Sequence, residues 1–145
     1  MDPQQSSPPA PPLAPPFGMP ATLDRAMKIA NAALVEANTI DVAVAIAIAE
    51  PSGDLVYFAK MDNASYSAIQ IAQHKATTAA RFRRPTRAFT DQLAAGNSFF
   101  LTFGVNAAPG GLPIVHDGRL IGSIGVSGGS GAQDEQIAHA GLASL

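Results

Sequence analysis

Apolar and polar positions repeat with two periods along the chain, and each period predicts one kind of element. Spacings of three and four residues predict helices, whereas period-two alternation or unbroken runs of branched apolar residues predict strands. The predicted helices span residues 22–37, 66–82, 86–95 and 132–142, with Thr22 and Thr86 as N-caps of the first and third. The predicted strands span residues 42–48, 55–61, 112–116 and 119–126. Residues 98–106 fit either core material or the wall of a ligand site.

Turn residues join these strands in pairs. Pro51-Ser52-Gly53-Asp54 separates the first two strands, and Asp117-Gly118, which suits a type I′ turn, separates the last two. Hairpins pair their strands antiparallel, and the helices lie before, between and after the hairpins. The pattern therefore predicts a single α+β domain built on an antiparallel sheet rather than on a doubly wound parallel sheet.

The first twenty residues differ from the rest of the chain. They hold eight of the 12 prolines, which fix φ and lack a backbone donor. We therefore expect residues 1–21 to form a flexible arm and residues 22–145 to form the domain. The arm would lie across a neighbouring subunit, anchored by Phe17 and Met19. Its sequence Pro12-Leu13-Ala14-Pro15 also fits the PxxP pattern of SH3-type ligands, without a flanking basic residue.

The amino-acid composition excludes several kinds of partner and site. A length of 145 residues with 47% hydrophobic content suits one domain. Charged residues make up 14%, against about 25% in ordinary soluble domains, so we expect a homo-oligomer whose subunits cover part of the surface. A net charge of −2 argues against a nucleic-acid partner, and the absence of cysteine excludes disulfides, thiolate metal sites and a cysteine nucleophile. The apolar runs are too short to span a membrane, and we expect a cytoplasmic protein.

Two charged residues lie on apolar helix faces. Lys75 falls inside the apolar arc of the second helix, and Asp134 lies in the middle of the apolar face of the last helix, in its first turn. These positions predict a buried Lys75–Asp134 pair, with Asp62 as the alternative partner of the lysine. The pair would either fix the packing of the two helices or act catalytically, with Lys75 as general acid or base tuned by Asp134.

Glycines, aromatic residues and arginines supply the candidate ligand contacts. The loop from Ser127 to Gly131 precedes a helix and would either bind an anion through its amides or simply turn the chain. Arginines at positions 81, 83, 84 and 87 would hold ligand carboxylates, or form a solvated face or a subunit contact. The candidate ligand-binding residues are Arg84, Phe99, Phe103, Gly110, Gly111, Ser127, Gly128 and Gly129.

The three histidines have no metal-type spacing, so no metal site is predicted. His74, His116 and His139 are each expected on the surface. The alternative for any of them is ligation of haem or a metal at a subunit seam.

Several motifs together resemble the GlcG/HbpS family, over about Leu23 to Leu142. They are AQHKATTA at residues 72–79, RPT at 84–86, GGLPI at 110–114, GSIGVSGG at 122–129 and QDE at 133–135. The resemblance implies a profilin-like α+β fold with a five-stranded antiparallel sheet between helices. It also implies compact homo-oligomers, often octamers, and gives Lys75 and Asp134 a place among the site or assembly residues.

The same resemblance implies haem as the candidate cofactor. In haem-binding members a histidine near the start of the first strand takes part in binding, and Asp41, a poor iron ligand, stands at that place here. The leading hypothesis is a homo-oligomeric domain that binds haem or another planar anionic molecule, such as a small aromatic or tetrapyrrole ligand. The alternatives are a lyase acting on a hydroxylamino-aromatic acid, as similar small proteins are described, and a non-catalytic structural or regulatory partner that uses the proline-rich arm. Whether the chain is an enzyme stays open at this point.

Overall fold

A computed structural model describes residues 13–145 of the chain, and residues 1–12 of the proline-rich arm lie outside it. The predicted helices and strands are all present, and residues 98–106, which the sequence left open, contain a short 3₁₀ helix. The elements are α1 Leu23–Thr39, β1 Ala45–Ala49, β2 Leu55–Lys60, α2 Ser67–Phe82, α3 Arg87–Ala94, the 3₁₀ helix Phe99–Phe103, β3 Gly111–His116, β4 Arg119–Ser127 and α4 Gly131–Leu142.

The sheet is antiparallel, with the strand order β2-β1-β4-β3. This confirms the predicted α+β class, but within residues 13–145 the sheet has four strands and not the five that the resemblance implied. Both hairpins form as predicted, and Asp117 and Gly118 have positive φ angles of 50° and 74°, as a type I′ turn requires. No helix in the described part of the chain is long and apolar enough to cross a membrane.

The end of the arm lies against the domain of its own chain. The Pro16 carbonyl accepts a hydrogen bond from Leu120 N–H at 2.8 Å, and Gly18 N–H donates to the Leu120 carbonyl at 2.8 Å, which makes an isolated parallel bridge between Phe17 and Leu120. The flanking prolines have no N–H to donate, so the bridge does not extend into a fifth strand. Residues 16–21 therefore pair with β4 of their own chain, and the contact of the arm with a neighbouring subunit stays a prediction.

Phe17 holds this segment in place. The guanidinium of Arg83 lies 4.9 Å from the centre of the Phe17 ring, and its Nη1 donates to the Pro15 carbonyl at 3.4 Å. Met19, the other predicted anchor, is 82% exposed. The arm therefore runs from β4 towards the C-terminal end of α2, where Arg83 ends the helix.

The two faces of the sheet carry side chains of different size. Val44, Ile46 and Ile48 belong to the larger core, together with apolar residues of α1 and α4. The intervening residues of β1 are alanines, and they pack against alanines of α2. Small residues on both sides let the α2 backbone lie close to the sheet, which the larger branched side chains of the other face would prevent.

Gly125 marks the closest approach between β4 and α2. A Cβ atom at this position would overlap the Ala72 carbonyl oxygen and lie 2.6 Å from Ala76 N. Neither neighbour can move without shifting α2, because both atoms belong to its backbone. The short distance between α2 and the sheet therefore requires a glycine at this position.

We expect Gly125→Ala to lower the free energy of unfolding by at least about 3 kcal/mol, the upper end of the range for overpacked cores. Urea denaturation followed by far-UV circular dichroism measures this change. Gly96→Ala is the matched control, because a Cβ at Gly96 meets no atom within 4 Å and the cost there is confined to its positive φ of 89°. Equal losses for the two variants would contradict the proposed close approach.

Candidate functional site

Lys75 and Asp134 form a buried ion pair. The Lys75 Nζ lies 3.0 Å from Asp134 Oδ2 and also donates a hydrogen bond to the Val126 carbonyl at 2.9 Å. The side chains of the pair are 3% and 4% exposed. Asp134 is therefore the partner of the lysine, whereas the alternative partner, Asp62, is exposed.

The glycine loop before α4 binds the carboxylate of Asp134 itself. Gly129 N–H donates to Asp134 Oδ1 at 2.8 Å, and Ser130 N–H donates to Gln133 Oε1 at 3.0 Å. The Ser130 hydroxyl in turn accepts from Gln133 N–H, which completes a capping box at the start of the helix. Two of the amides that could have bound an external anion, those of Gly129 and Ser130, thus have partners within the chain.

Gly110 closes the other side of the ion pair. Its φ is +123°, and a Cβ atom there would lie 3.0 Å from Lys75 Nζ and 2.6 Å from the Val126 carbonyl oxygen. The next residue, Gly111, donates its N–H to Thr86 Oγ1 at 2.9 Å. Thr86 is the N-cap residue of α3, as predicted, but its side chain makes no capping hydrogen bond, because the hydroxyl is engaged with the start of β3.

Burial raises the pKa of the Asp134 carboxyl, and this effect outweighs the opposing effects of Lys75 and of the Gly129 amide. The Gly128 amide also opposes the effect of burial, so three groups favour the carboxylate form. The pair connects α2 to α4, and buried ion pairs are in general a small source of net stability because desolvation offsets much of the attraction between the charges. Contact with a ligand would require the backbone around Gly110 or Gly129 to move.

A second group of predicted residues lies elsewhere, around an open cavity of about 260 Å³. We call it the aromatic groove, and its walls come from the end of α2, from α3 and from the 3₁₀ helix. It is lined by Phe82, Arg84, Phe89, Gln92, Phe99, Phe100 and Phe103. Phe89 and Phe100 are buried at its base, whereas Phe99 and Phe103 are 66% and 58% exposed at its rim.

The aromatic rings contact one another edge to face. Phe82 and Phe89 have ring centres 5.4 Å apart and nearly perpendicular planes, and Phe99 and Phe103 are 6.0 Å apart with a similar angle. The Arg84 guanidinium lies 5.6 Å from the centre of the Phe89 ring. Rings fixed in this way present flat apolar surfaces beside a positive charge, which suits a planar anionic molecule.

The polar groups of the groove are hydrogen-bond donors. Arg84 uses its Nε to bond the Phe82 carbonyl at 3.3 Å, which leaves the terminal nitrogens of the guanidinium for a ligand. Gln92 accepts a hydrogen bond from Asn97 Nδ2 on its Oε1 at 2.7 Å, so its own amide nitrogen is the group left to donate. None of the described residues that line the groove is acidic.

The structure therefore divides the predicted site residues into two groups. Arg84, Phe99 and Phe103 line the aromatic groove. The ion pair and the predicted glycines lie together at the junction of α2, β4 and α4. Ser127, the last residue of β4, is buried next to that junction. Sequence reasoning missed Phe82, Phe89 and Gln92 as groove residues, whereas Phe100 lies in the segment 98–106 that was expected to be core or the wall of a ligand site.

The remaining arginines have other partners. Arg81 donates to the Ser52 carbonyl at 2.8 Å, Arg83 stacks on the arm, and Arg87 binds both carboxylate oxygens of Glu135 at 2.9 and 2.8 Å. Of the four clustered arginines, Arg84 is thus the one that lines the groove.

The histidines lie apart from one another. His74 Nε2 is 2.8 Å from the Gly104 carbonyl, whereas His116 and His139 lie beside Asp117 and Glu135. All three are exposed, as predicted. Residues 13–145 contain no group of three or more acidic or histidine side chains arranged to hold a metal ion.

Each single variant of the ion pair is expected to be strongly destabilised. Lys75→Met leaves a buried carboxylate unpaired, and Asp134→Asn leaves a buried ammonium unpaired, each at a cost of about 3–5 kcal/mol. The double variant should recover most of this loss, because the introduced carboxamide keeps an oxygen for Gly129 N–H and gains an amide donor towards the Val126 carbonyl. Denaturation of the four proteins in a double-mutant cycle measures the coupling. Additive losses would show that the two side chains act independently.

Comparison with known proteins identifies the family to which this fold belongs. A model of the family described as "Haem degrading protein HbpS-like" matches residues 21–143. The protein GlcG of Escherichia coli K12 is 40% identical over 93 residues, which are 63% of this chain and 69% of GlcG.

Solved structures agree with these matches. A double mutant of Streptomyces reticuli HbpS has a TM-score of 0.81 and 32% identity, over 95% of this chain and 99% of that one. A structure described as a PduOC:heme complex has a TM-score of 0.81 and 27% identity, over 88% of this chain and 96% of that one. Because the family model matches nearly the whole described chain, this protein belongs to the HbpS-like family.

Proposed function

We propose that this protein binds a planar anionic small molecule, of the haem class or smaller, in the aromatic groove. The observation that carries the proposal is the groove itself, because the exposed rings of Phe99 and Phe103 and the guanidinium of Arg84 line the same cavity. Phe99 and Phe103 would stack on the faces of the ligand, and Arg84 and Gln92 would donate hydrogen bonds to its carboxylate. The structure of a relative in complex with haem supports a ligand of this class.

The groove suits the rings and carboxylates of haem better than its iron. No residue that lines it, among those described, is a histidine or another common iron ligand. Its volume of about 260 Å³ is also below the roughly 300–1,000 Å³ of sites that enclose drug-sized ligands. A tetrapyrrole would therefore insert one carboxylate-bearing edge and lie against the exposed rings. Haem bound there would supply redox chemistry at an iron that the lining residues do not hold.

The ion pair of Lys75 and Asp134 is assigned a structural role in this proposal. A lyase that used Lys75 as acid or base would need the ammonium to touch its substrate, yet both side chains are buried against β4 and the glycine loop. The homo-oligomer and the octamer stay predictions, and analytical ultracentrifugation of the purified protein tests both.

A titration with haemin and with metal-free protoporphyrin tests the proposed site. We expect saturable binding of both, with dissociation constants within a few-fold of each other, because the groove holds the ring and carboxylates rather than the metal. Arg84→Gln should weaken both by about tenfold or more, as expected for the loss of a charge-assisted hydrogen bond. Absorbance is the suitable signal, since the chain contains no Trp.

Arg119→Gln is the matched control, because Arg119 is an exposed arginine outside the groove and should leave the affinity unchanged. Haemin binding that far exceeds protoporphyrin binding, and that is lost in His74→Ala, would contradict the proposal and assign iron ligation to the histidine. The double variant of the ion pair, where it folds, should bind as the natural sequence does. Loss of binding in that folded variant would show that Lys75 and Asp134 take part in ligand binding, which would contradict their structural role.

A further inference from the structure

We infer that the proline-rich segment of residues 1–12 docks in the aromatic groove of its own chain and competes there with the small-molecule ligand. The docking itself is independent of the proposed function, whereas the competition rests on it. The inference starts from the direction in which the described part of the arm runs. Successive contacts of Ala21, Gly18 and Pro16 with β4 lead the chain back towards Pro15, which is bonded to Arg83.

The end of α2 connects the arm to the groove. Arg83 has a left-handed φ of 53°, which ends the helix and turns the chain. Its guanidinium stacks on Phe17 of the arm, and the guanidinium of the next residue, Arg84, stacks on Phe89 of the groove. Consecutive Cα atoms are about 3.8 Å apart. The backbone at Arg83, which the arm contacts, therefore continues directly into Arg84 of the groove.

The length of the segment is sufficient to reach the far wall. Leu13 is 97% exposed, so the chain before it starts from the surface. Twelve residues in a polyproline II conformation span about 37 Å, at about 3.1 Å per residue. A helix with its side chains is about 10–12 Å wide. The segment can thus pass the end of α2 and lie along the exposed rings of Phe99 and Phe103.

The chemistry of the two surfaces is complementary. Grooves lined by aromatic side chains are the usual partners of proline-rich segments, because proline rings pack flat against aromatic faces and the chain loses little entropy on binding. Residues 8–12 are Pro-Pro-Ala-Pro-Pro. Asp2 is the one charged side chain among residues 1–12, and Arg84 carries the positive charge of the groove. A second cavity near Phe17, lined also by Pro51, Ser52 and Arg81, offers a single aromatic ring and is the weaker site.

Paramagnetic relaxation in the full-length chain tests the docking without any ligand. The chain has no cysteine, so Gln5→Cys takes a single nitroxide label at a defined position. We expect the label to broaden the amide signals of residues 99–104 more strongly than those of α1. Broadening centred on Pro51 and Ser52, or the weak even profile of a free chain end, would overturn the inference.

Matched variants identify the surface. Phe99→Ser with Phe103→Ser should remove the broadening from the neighbouring Leu101 and Gln92, and both changes fall on exposed positions that tolerate polar residues. Val35→Ser is the control, since Val35 is also 66% exposed but lies on α1. A mixture of labelled unenriched chain and unlabelled ¹⁵N chain should show no broadening. Broadening in that mixture would assign the segment to a neighbouring copy and overturn docking in the same chain.

Ligand binding by the chain of residues 13–145 tests the competition. If the segment occupies the groove about 90% of the time, its removal should lower the apparent dissociation constant for protoporphyrin about tenfold. Equal affinity of the two chains would overturn the competition. Absence of porphyrin binding to either chain would instead overturn the proposed function, and the relaxation result would then decide the docking alone.

Discussion

The buried pair of Lys75 and Asp134 is the interaction on which the arrangement of this fold depends. It joins α2 to the first turn of α4, and the same ammonium binds the Val126 carbonyl near the end of β4. Three elements thus meet at one charge. The carboxylate occupies the amide of Gly129, so the loop is shaped around a side chain of the protein itself. Burial raises the pKa of Asp134, so the cost of removing the carboxylate from water offsets part of what the pair contributes to stability.

The groove and the arm both depend on how α2 ends. The left-handed residue Arg83 sends two neighbouring arginines to two different phenylalanine rings. One arginine holds the N-terminal arm on the domain, and the other supplies the charge of the proposed ligand site. The arm contact and the charge of the proposed site thus come from adjacent residues at the end of one helix.

The sequence was sufficient to predict the fold class, both hairpins and the ion pair. A lysine inside an apolar helical arc is visible in a helical wheel, and the interior admits few partners for it. The aromatic groove was predicted only at Arg84, Phe99 and Phe103, because its walls come from three segments. Phe99 and Phe100 are adjacent and identical in type, and only the 3₁₀ turn decides which is buried. The hydrogen bond of the Thr86 hydroxyl was not predicted, because the distant Gly111 was not visible in the local pattern.

The small residues between α2 and the sheet also affect how the domain reaches its structure. Alanine and glycine make a smooth contact surface, on which a helix displaced by one turn, about 5.4 Å, would lose little apolar contact. Apolar contact alone would therefore distinguish poorly between the native position of α2 and such displaced positions. In those positions Ile71 or Ala79 would stand where Lys75 stands, and Asp134 would be left without a cation. The ion pair can form in only one position of α2 along the sheet. It therefore favours the native packing over packings in which the helix is shifted by a turn.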